Sequence, residues 1–179
     1  MLHSPVSSET TIDFDLENSP WLDRKLVRPE HLENWSQSMK EGNLKIATLN
    51  GSFDLLHAGH LHMIHLASLQ ADILIVALNS DSSIKAYKSP LRPIITLQNR
   101  LSMMAALEFV DFVTWFDETD PRDLLKKIAP HVHVNGAEYG SQCIEAEVVK
   151  EGGGQVHIVE LIPGLSTSLI IEKIKTVCV

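Results

Sequence analysis

The amino-acid sequence predicts an α/β protein with a Rossmann-like, doubly wound, five-stranded parallel sheet in a single domain. Five short apolar segments, each typical of a buried strand, alternate along the chain with segments in which apolar residues recur at helical spacing. Strands and helices that alternate in this order build a parallel sheet with helices on both faces, because the crossover connections are right-handed. At 179 residues, the chain is long enough to bury one full core.

The charge and composition of the chain exclude several classes of protein. The formal net charge of −8 and the pI of about 5.5 argue against nucleic acid and anionic membranes as partners, because both attract clustered Lys and Arg. The chain has no apolar run of about 18 residues, and its N-terminus is polar and acidic, so neither a membrane span nor a signal peptide is predicted. Cys143 and Cys178 are too few for a disulfide framework, so we expect a cytoplasmic location.

Residues 1–27 are predicted to be an N-terminal extension to a domain of residues 28–179. Most of the extension is rich in Ser, Thr, Glu and Asp and shows no sustained hydrophobic period, which is typical of a flexible segment. Trp21 and Trp35 leave a second arrangement open, in which part of this region packs on the domain or on a second subunit. A homodimer therefore also stays open.

A short amphipathic helix is predicted ahead of the first strand. Leu32, Trp35 and Met39 follow helical spacing between Pro29 and Gly42, and proline and glycine are typical start and stop residues. The expected role of this helix is to pack on the sheet.

The segment Asn50–His60 joins the first predicted strand, Leu44–Leu49, to the next predicted helix. The apolar residues near helical spacing in that helix are Leu61, Ile64, Leu66 and Leu69. A glycine-containing turn between a strand and a helix N-terminus offers free N–H groups and the positive end of the helix dipole to an anion. The segment is therefore a candidate phosphate site.

Two histidines, His57 and His60, stand at this helix start, where their spacing places both rings on one face. Gly59 leaves room for a phosphate to approach the backbone, and an imidazole can donate a hydrogen bond to a phosphoryl oxygen. A metal site is a second interpretation, although helical zinc ligands usually stand at i and i+4 and no cysteine or carboxylate completes a set here. A third is that the rings only cap the helix or fill the core.

The complete pattern resembles a family signature. Its specified positions are Gly51, Phe53, Asp54, His57, Gly59 and His60. They are similar to the signature of the nucleotidyltransferase superfamily named for its His-x-Gly-His motif, the cytidylyltransferase-like proteins. The resemblance implies that His57 and His60 contact a nucleoside triphosphate and stabilise the transition state of nucleotidyl transfer. It also implies nucleotide-binding roles for Asn50, Gly51, Ser52, Phe53, Asp54 and Gly59.

The second predicted strand, Asp72–Leu78, is a continuous apolar run of the kind that is covered on both faces. Asn79 and Asp81 follow it, at the strand end where open α/β sheets bind ligands, although polar residues there also form ordinary turns. The resemblance implies that Asn79, Asp81 and, further on, Lys85 bind the substrate.

Three cations, Lys85, Lys88 and Arg92, lie in residues 82–93, which we predict to be a segment without regular structure, stiffened by prolines. Such cations are usually only solvated. The resemblance favours a basic loop that clamps the triphosphate, with Lys88 in catalysis and Arg92 on the nucleotide.

A helix is predicted from Thr96 to Leu107, where apolar residues again recur at helical spacing. Arg100 lies early in this helix. A family arginine at a similar place implies that Arg100 binds a phosphate of the nucleotide, and the alternative is a surface arginine in a salt bridge.

The third strand is predicted at Phe109–Phe116, and Asp120 followed by proline predicts the start of the next helix. The fourth strand begins with the alternating segment His131–Val134. His131 and His133 share one face of that strand, but no third ligand is near them in the sequence, so we do not expect a metal site.

The turn after the fourth strand is predicted at Asn135–Tyr139, and the resemblance implies that Gly136 and Glu138 bind the nucleotide. A short helix is expected at residues 143–150, and the fifth strand at Gln155–Leu161. These elements complete the five-stranded sheet.

The last helix is predicted to start at Ser166–Ser168. Hydroxyls and free N–H groups at a helix start form a second anion site, which would hold a triphosphate from its far end, whereas an ordinary N-cap has the same composition. The resemblance implies that Ser166, Thr167 and Ser168 bind the phosphates.

Within the superfamily, residues 28–179 are most similar to the adenylyltransferases of ADP-heptose synthesis, which serve lipopolysaccharide core biosynthesis. The stretches that carry this likeness are Asn50–His60, Asn79–Asp81, Arg92–Ile94, Ala105–Asp111, Asn135–Tyr139 and Gly164–Ser168. The resemblance implies in-line transfer of AMP from ATP to D-glycero-β-D-manno-heptose 1-phosphate with release of pyrophosphate. Mg²⁺ is expected with ATP, bridging triphosphate oxygens, and no protein side chain is assigned to a metal. The substrate phosphate is itself anionic, so no side-chain base is expected.

Three positions depart from these relatives. Ser52 stands where they have Cys, Asn135 where they have Lys, and Leu169 where they often have Asn. Loss of the lysine removes a phosphate contact and weakens the sugar assignment. The sugar kinase domain of bifunctional relatives is not in this sequence, so a separate kinase is expected to supply the substrate.

Two other functions stay open. The first is a cytidylyltransferase that acts on glycerol 3-phosphate or a phosphoalcohol. Those relatives carry an arginine shortly before the Ser/Thr motif, whereas this chain has Glu160–Pro163. The second is a non-catalytic nucleotide-binding protein, against which the intact histidine pair argues.

Overall fold

The protein is described by a computed structural model for residues 20–137, residue 140 and residues 143–178. The strands are β1 (Ile46–Gly51), β2 (Ile73–Asn79), β3 (Phe112–Phe116), β4 (Val132–Gly136) and β5 (Gln155–Val159). The helices are α1 (Pro20–Lys25), α2 (Leu32–Glu41), α3 (Ala58–Ser68), α4 (Asp81–Tyr87), α5 (Leu97–Ala105), α6 (Arg122–Ile128), α7 (Glu145–Glu151) and α8 (Thr167–Val177), and a 3₁₀ turn at Pro29–His31 precedes α2. None of these helices, in the described part of the chain, is long and apolar enough to cross a membrane.

The five strands form one parallel sheet in the order β3-β2-β1-β4-β5. The chain therefore winds outward from β1 in one direction, returns, and winds outward in the other, which confirms the predicted doubly wound fold. The order reverses between β1 and β4, where Ala47 is opposite Val132 and Leu49 is opposite Val134. Such a reversal leaves a crevice at the carboxyl ends of the two strands, where open α/β sheets bind ligands.

Helices cover both faces of the central strands. Every residue of β2 is buried, as its continuous apolar sequence predicts. On one face, Leu49 and Val76 share a hydrophobic cluster with Met104 of α5. On the other face, Ile75 shares a cluster with Leu125 of α6. The core thus fixes β1 and places its carboxyl end, and the turn that follows, at one edge of the sheet.

α4 forms inside the segment that was predicted to lack regular structure, so that prediction was wrong. The Ser80 hydroxyl caps the helix, because Ser80 Oγ accepts a hydrogen bond from the Ser83 backbone N–H at 3.2 Å. Ile84 is fully buried and anchors the helix in the core. The basic residues that follow therefore stand at the end of a packed helix.

α1 lies within the predicted N-terminal extension. Its Leu22 is 2% exposed and belongs to the core. Trp21 Nε1 donates to the Ser102 carbonyl at 3.2 Å, and Lys25 Nζ donates to the Val110 carbonyl at 2.6 Å. Residues 20–27 thus pack on the domain, which is the arrangement that Trp21 left open. Residues 1–19 lie outside the described residues.

Two elements begin later than the sequence predicts. β3 begins at Phe112, and the carboxylate of the preceding Asp111 accepts a hydrogen bond from the Leu74 N–H at 2.8 Å. α6 begins at Arg122, after the predicted start at Asp120, whose carboxylate accepts from the Arg122 N–H at 3.1 Å. In each case an aspartate just outside the element binds a backbone N–H instead of belonging to the element.

Candidate active site

A cavity of about 280 Å³ opens at the carboxyl ends of β1 and β4, where the strand order reverses. Its lining comes from the β1–α3 turn, the residue after α4, the end of β4 and the segment that leads into α8. The lining residues are Asn50, Gly51, Ser52, Phe53, His57, Gly59, His60, Met63, Lys88, Asn135, Leu161, Ile162, Leu165, Ser166, Thr167 and Ser168. The structure thus brings the early histidine motif and the late Ser-Thr-Ser motif into one cavity.

The turn between β1 and α3 has an uncommon backbone. Phe53 and Leu55 have positive φ angles of 44° and 47°, a region that L-residues with bulky side chains rarely adopt. Packing holds Phe53 there: the residue is 5% exposed, and its ring meets the edge of the His60 ring at a centroid distance of 5.4 Å. Gly51 makes room for it, because a Cβ on Gly51 would lie 3.1 Å from the Phe53 ring. Glycine and phenylalanine of the motif therefore shape the turn that presents the histidines.

His57 and His60 stack on each other at the start of α3. The ring centroids are 3.9 Å apart and the interplanar angle is 24°. His57 is the N-cap, and its Nδ1 accepts a hydrogen bond from the Gly59 N–H at 3.1 Å. The capping interpretation therefore holds for Nδ1, and the proton of the neutral ring lies on Nε2, which can donate to a ligand.

Gly59 is required by this close packing. A Cβ at that position would lie 3.0 Å from the His57 ring and 3.1 Å from Leu165 Cβ. Leu165 belongs to the segment that leads into α8, so the starts of α3 and α8 approach each other across the glycine. Two helix N-termini therefore meet at one cavity.

Both imidazoles are neutral at pH 7. Burial lowers the pKa of His60 to about 4, with further lowering by His57 and Lys88. Burial also lowers the pKa of His57. The Nδ1 atom of His60 is buried and has no hydrogen-bond partner among the described residues. The pair thus offers N–H donors to the cavity without a fixed positive charge.

Lys88 supplies a cation to the lining of the cavity. Its Nζ donates to Ser52 Oγ at 2.7 Å. Partial burial lowers the pKa of Lys88, and the neighbouring Arg92 lowers it further. Lys88 also depresses the pKa of His60, which indicates that the ammonium lies near the histidine stack.

Asp54 faces the protein rather than the cavity. It is 2% exposed, and its carboxylate binds the Arg92 guanidinium at 2.6 Å and accepts from the N–H groups of Ile94 at 3.0 Å and Ile95 at 2.9 Å. Burial alone would raise the pKa of Asp54, but these backbone donors and Arg92 hold it below its usual range. Asp54 and Arg92, both expected on the nucleotide, instead clamp the segment that joins α4 to α5.

Arg100 also differs from its expected place on a phosphate. The side chain is 1% exposed and lies outside the cavity lining. Its donors bind the carbonyl oxygens of Ile95 (2.9 Å), Ser52 (2.6 Å) and Asn79 (2.8 Å) and the Asp81 carboxylate (2.8 Å). Arg100 is thus neither a surface arginine nor a cavity residue, and it ties the β1–α3 turn to the end of β2.

The residues expected on the acceptor substrate lie outside the cavity lining. Asn79 is buried, and its Nδ2 donates to Ser83 Oγ at 3.0 Å. Asp81 accepts from the Leu97 N–H at 2.8 Å and so links the starts of α4 and α5. Lys85 is exposed on α4. The polar residues at the end of β2 therefore form hydrogen bonds at the starts of α4 and α5. This is the structural role in a turn that the sequence left open.

The end of β4 contributes Asn135 to the cavity. The residue is 6% exposed, and its Oδ1 accepts from the Gly136 N–H at 3.1 Å. Gly136 is buried at the end of β4 and lies outside the cavity lining. Glu138, also expected on the nucleotide, lies outside the described residues.

His131 and His133 do not form a metal site with each other. His131 Nδ1 accepts from the Ile46 N–H at 3.0 Å, whereas His133 is fully buried beside Thr48 Oγ1 at 2.8 Å. Within the described ranges, no group of three or more His, Cys, Asp or Glu side chains is placed to hold a metal ion.

α8 begins at the cavity. Ser166 is its N-cap, and Ser166 Oγ accepts from the Leu169 N–H at 3.2 Å. Thr167 and Ser168 complete the lining on this side. The Ser-Thr-Ser segment is therefore both a helix cap, as one interpretation of the sequence proposed, and a part of the cavity wall, and its binding of phosphates stays a prediction.

Sequence reasoning missed the apolar part of the lining and one aromatic neighbour. Met63, Leu161, Ile162 and Leu165 line the cavity, and Tyr87 lies beside Lys88. Apolar side chains carry no chemical signature, so only their exposure after folding distinguishes them.

The sequence matches the model of the cytidylyltransferase-like family over residues 48–174, a range that contains both helix starts of the cavity. The chain belongs to this family. The predicted membership of the nucleotidyltransferase superfamily is thereby confirmed.

Similar proteins include bacterial proteins named bifunctional protein HldE. Identity is 43% over 134 residues with that of Pseudomonas fluorescens, 38% over 169 residues with that of Pseudomonas entomophila, and 42% over 154 residues with that of Methylobacillus flagellatus. The alignments cover 74%, 88% and 86% of this chain, but 28%, 36% and 30% of the respective relatives. The chain thus spans about a third of the length of these relatives.

Two solved structures share the fold. The lipopolysaccharide core biosynthesis protein of Thermoplasma volcanium is 27% identical, with a TM-score of 0.53 over 66% of this chain and 97% of the other. Pantoate-beta-alanine ligase of Francisella tularensis is 15% identical, with a TM-score of 0.56 over 86% of this chain and 78% of the other. The second likeness concerns the fold alone.

Proposed function

We propose that this chain is an adenylyltransferase that transfers AMP from ATP to D-glycero-β-D-manno-heptose 1-phosphate and releases pyrophosphate. The observation that carries the proposal is the cavity in which stacked His57 and His60 meet the Ser166–Ser168 start of α8. Two helix N-termini at one cavity suit a polyanion such as a triphosphate. Membership of the family supports nucleotidyl transfer, and the resemblance to the adenylyltransferases of ADP-heptose synthesis supports AMP as the transferred group.

The chain's residues bind and orient the triphosphate in this mechanism. Backbone N–H groups at the start of α8, and Nε2–H of His57, donate to phosphoryl oxygens. Negative charge grows on the α-phosphoryl oxygens and on the departing pyrophosphate in the transition state, and donors held in place beforehand stabilise it. The stacked rings are held by Phe53 and Gly59, so they need no reorganisation when the charge develops.

The acceptor phosphate is the nucleophile. One of its oxygens forms a bond to the α-phosphorus while the bond from that phosphorus to pyrophosphate breaks. A sugar 1-phosphate is already anionic at neutral pH, so no proton has to be removed.

Mg²⁺ bound with ATP would neutralise part of the triphosphate charge, and phosphate oxygens are a donor set that suits this ion. Lys88 Nζ adds a positive charge beside His60 and approaches the phosphates from the α4 side.

Asp54, Arg92 and Arg100 act by positioning. Asp54 fixes the backbone of Ile94 and Ile95 through two N–H groups. Arg100 holds the Ser52 carbonyl, so the turn that carries the histidine motif is tied to the core from behind. These residues thereby keep the basic segment beside the cavity.

A kinase reaction is the proposed source of the acceptor. A sugar 1-phosphate needs a phosphate group, which a sugar kinase supplies. The relatives are named as bifunctional proteins and are about three times as long as this chain, which leaves room in them for a second activity of this kind.

Pyrophosphate release tests the proposal. The purified chain is assayed with MgATP or MgCTP, and with D-glycero-β-D-manno-heptose 1-phosphate, glycerol 3-phosphate or no acceptor. We expect turnover with MgATP and the heptose phosphate, lost in His60→Ala and kept in His62→Ala, a substitution on the same helix outside the cavity lining.

Two outcomes contradict the proposal in different ways. Turnover only with MgCTP contradicts AMP transfer and favours the cytidylyltransferase that the family description suggests. No pyrophosphate with any pair contradicts an enzyme and favours a nucleotide-binding protein.

A further inference from the structure

We infer that Ser52 and Tyr87 are positioning residues that hold the Lys88 ammonium beside the histidine stack. The inference rests on the proposed function only in assigning Lys88 to the triphosphate. Lys88 Nζ donates to Ser52 Oγ at 2.7 Å and lies 5.4 Å from the centroid of the Tyr87 ring. The Ser52 hydroxyl also interacts with the Tyr87 phenol. Three side chains thus meet at the edge of the cavity.

The lysine needs such support. Lys88 follows the last residue of α4, at the C-cap position, and a lysine side chain in solution has up to about 2 kcal/mol of rotamer entropy to lose. Burial, Arg92 and Arg100 each lower the pKa of Lys88, whereas Asp54 raises it. An acceptor at the cavity fixes the position of the ammonium among these charges. Ser52 Oγ provides that acceptor next to His60.

Ser52 is itself fixed from the other side. Its carbonyl oxygen accepts from Arg100 Nη1 at 2.6 Å, and Arg100 is fully enclosed in the core. The backbone of Ser52 is therefore rigid, and its hydroxyl points toward Lys88. A rigid acceptor places the ammonium more accurately than a mobile one would.

Tyr87 completes the arrangement. The Ser52 hydroxyl accepts one hydrogen bond from Lys88, and its interaction with the Tyr87 phenol lowers the pKa of that phenol. Partial burial raises the pKa of the Tyr87 phenol, although its interaction with Ser52 opposes that rise, so the phenol is uncharged at pH 7. Its ring face attracts the ammonium as well. Tyr87 therefore orients the Ser52 hydroxyl and favours one position of Lys88.

A double-mutant cycle tests this inference. We expect Ser52→Ala and Tyr87→Phe each to lower kcat/KM for MgATP by about 5-fold to 10-fold, the effect of losing one hydrogen bond. In the Lys88→Met background, either substitution should change kcat/KM by less than about 2-fold, because both act through Lys88. Ser52→Thr, which keeps the hydroxyl, should restore most of the activity. Ser38→Ala, an exposed serine on α2, is the matched control and should have no effect.

The opposite pattern overturns the inference. If Ser52→Ala causes the same fold loss with and without Lys88, its role is structural and independent of the lysine. If Tyr87→Phe retains full kcat/KM, the Tyr87 phenol does not position Lys88 and that part of the inference is wrong.

Two readouts keep the test independent of turnover. If the wild type transfers no nucleotidyl group, the proposed function fails, and the same cycle is read from MgATP affinity by calorimetry. If MgATP does not bind, the ¹³C NMR shift of Lys88 Cε decides. A shift that moves to the value of a solvated lysine in Ser52→Ala supports the inference, and an unchanged shift overturns it.

Discussion

The two helix starts line the same cavity but are supported in different ways. α3 starts beneath the stacked histidines, and its Ile64 and Ala67 are fully buried in the core. α8 has no buried residue in its described length, and its Leu169 and Ile174 are 52% and 50% exposed. One half of the candidate phosphate site is therefore fixed by the core, whereas the other depends on its own backbone and cap.

The difference separates two tasks. Donors that are rigid before the ligand arrives lower the barrier of the chemical step, since they need no reorganisation. A helix start with little packing must become ordered when the substrate binds, and this ordering lowers the binding free energy. Such a helix start therefore affects mainly how tightly the substrate is held. Substitutions at α3 are therefore expected to lower kcat, and substitutions at α8 to raise KM.

The largest effect is expected at the α3 start. His60→Ala removes a ring that contacts both His57 and Phe53, and we expect kcat to fall about 10²-fold to 10³-fold, as for loss of one transition-state donor. Pyrophosphate release under saturating MgATP measures it. His62→Ala should stay within about 2-fold of the wild type. If His60→Ala changes only KM and leaves kcat unaltered, the proposed difference in task between the two helix starts is wrong.

The next effect concerns the ion pair of Asp54 and Arg92, which we call the clamp and which lies on the α3 side of the cavity. Asp54→Asn breaks a buried ion pair with Arg92, and we expect the free energy of unfolding to fall by about 3 kcal/mol in urea denaturation. Asp120→Asn, in an exposed pair with Arg122, should cost less than about 1 kcal/mol. Equal losses in both variants would show that the clamp contributes no more than a surface pair.

Acid denaturation gives the same clamp a pH signature. The folded-state pKa of Asp54 lies below the unfolded value, which is about 3.9. Its stabilisation is therefore fully present above that unfolded value and is lost as pH falls through the lower folded-state pKa. Below about pH 4, the wild type should lose stability more steeply than Asp54→Asn. Parallel curves for the two proteins would contradict this account.

A smaller effect is expected where the two helix starts touch. Gly59→Ala puts a Cβ 3.0 Å from the His57 ring and 3.1 Å from Leu165, so the histidine or the α8 segment must shift. We expect kcat/KM to fall about 10-fold, while the thermal midpoint stays close to that of the wild type because alanine favours the helix. Unchanged activity would mean that the start of α8 can shift to make room for the Cβ without any effect on catalysis. The position of that helix start would then not matter for the site.

The smallest effect is expected at α8. Ser166→Ala removes the N-cap acceptor for the Leu169 N–H, a loss of about 1 kcal/mol, so we expect KM for MgATP to rise about 5-fold with little change in kcat. Thr176→Ala near the far end of the helix is the matched control. A fall in kcat as large as that of His60→Ala would contradict this account, because both helix starts would then contribute equally to the chemical step.

Charged residues were the least predictable part of the site. The sequence indicated that Asp54 and Arg100 bind the nucleotide, but the structure surrounds both with protein partners. The Ser52 carbonyl that binds Arg100 is 48 residues away in the chain, and the Asp54 acceptors receive N–H groups that are 40 and 41 residues away. A local sequence pattern cannot predict such partners. Elements that are distant in sequence decide whether a charged side chain faces a cavity or is enclosed by protein.

α4 shows a local signal that was outweighed. Lysines and prolines in residues 82–93 suggested a loop, yet Ser80 and Ser83 stand at cap spacing and Ile84 is fully buried. A helix of seven residues has too few positions for a period to stand out, so its burial against β2 decides that it forms.

The sequence by itself determined the sheet, its strands and the two helix starts, because hydrophobic period, glycine turns and cap residues act over a few neighbouring positions. It also identified the histidine pair, whose spacing is a local property. Only the tertiary structure decided that His57 stacks on His60, that Phe53 has a left-handed backbone and that Lys88 reaches Ser52. The Lys88–Ser52 contact joins residues 36 positions apart in the chain, and the burial that holds Phe53 in place exists only once the core has formed.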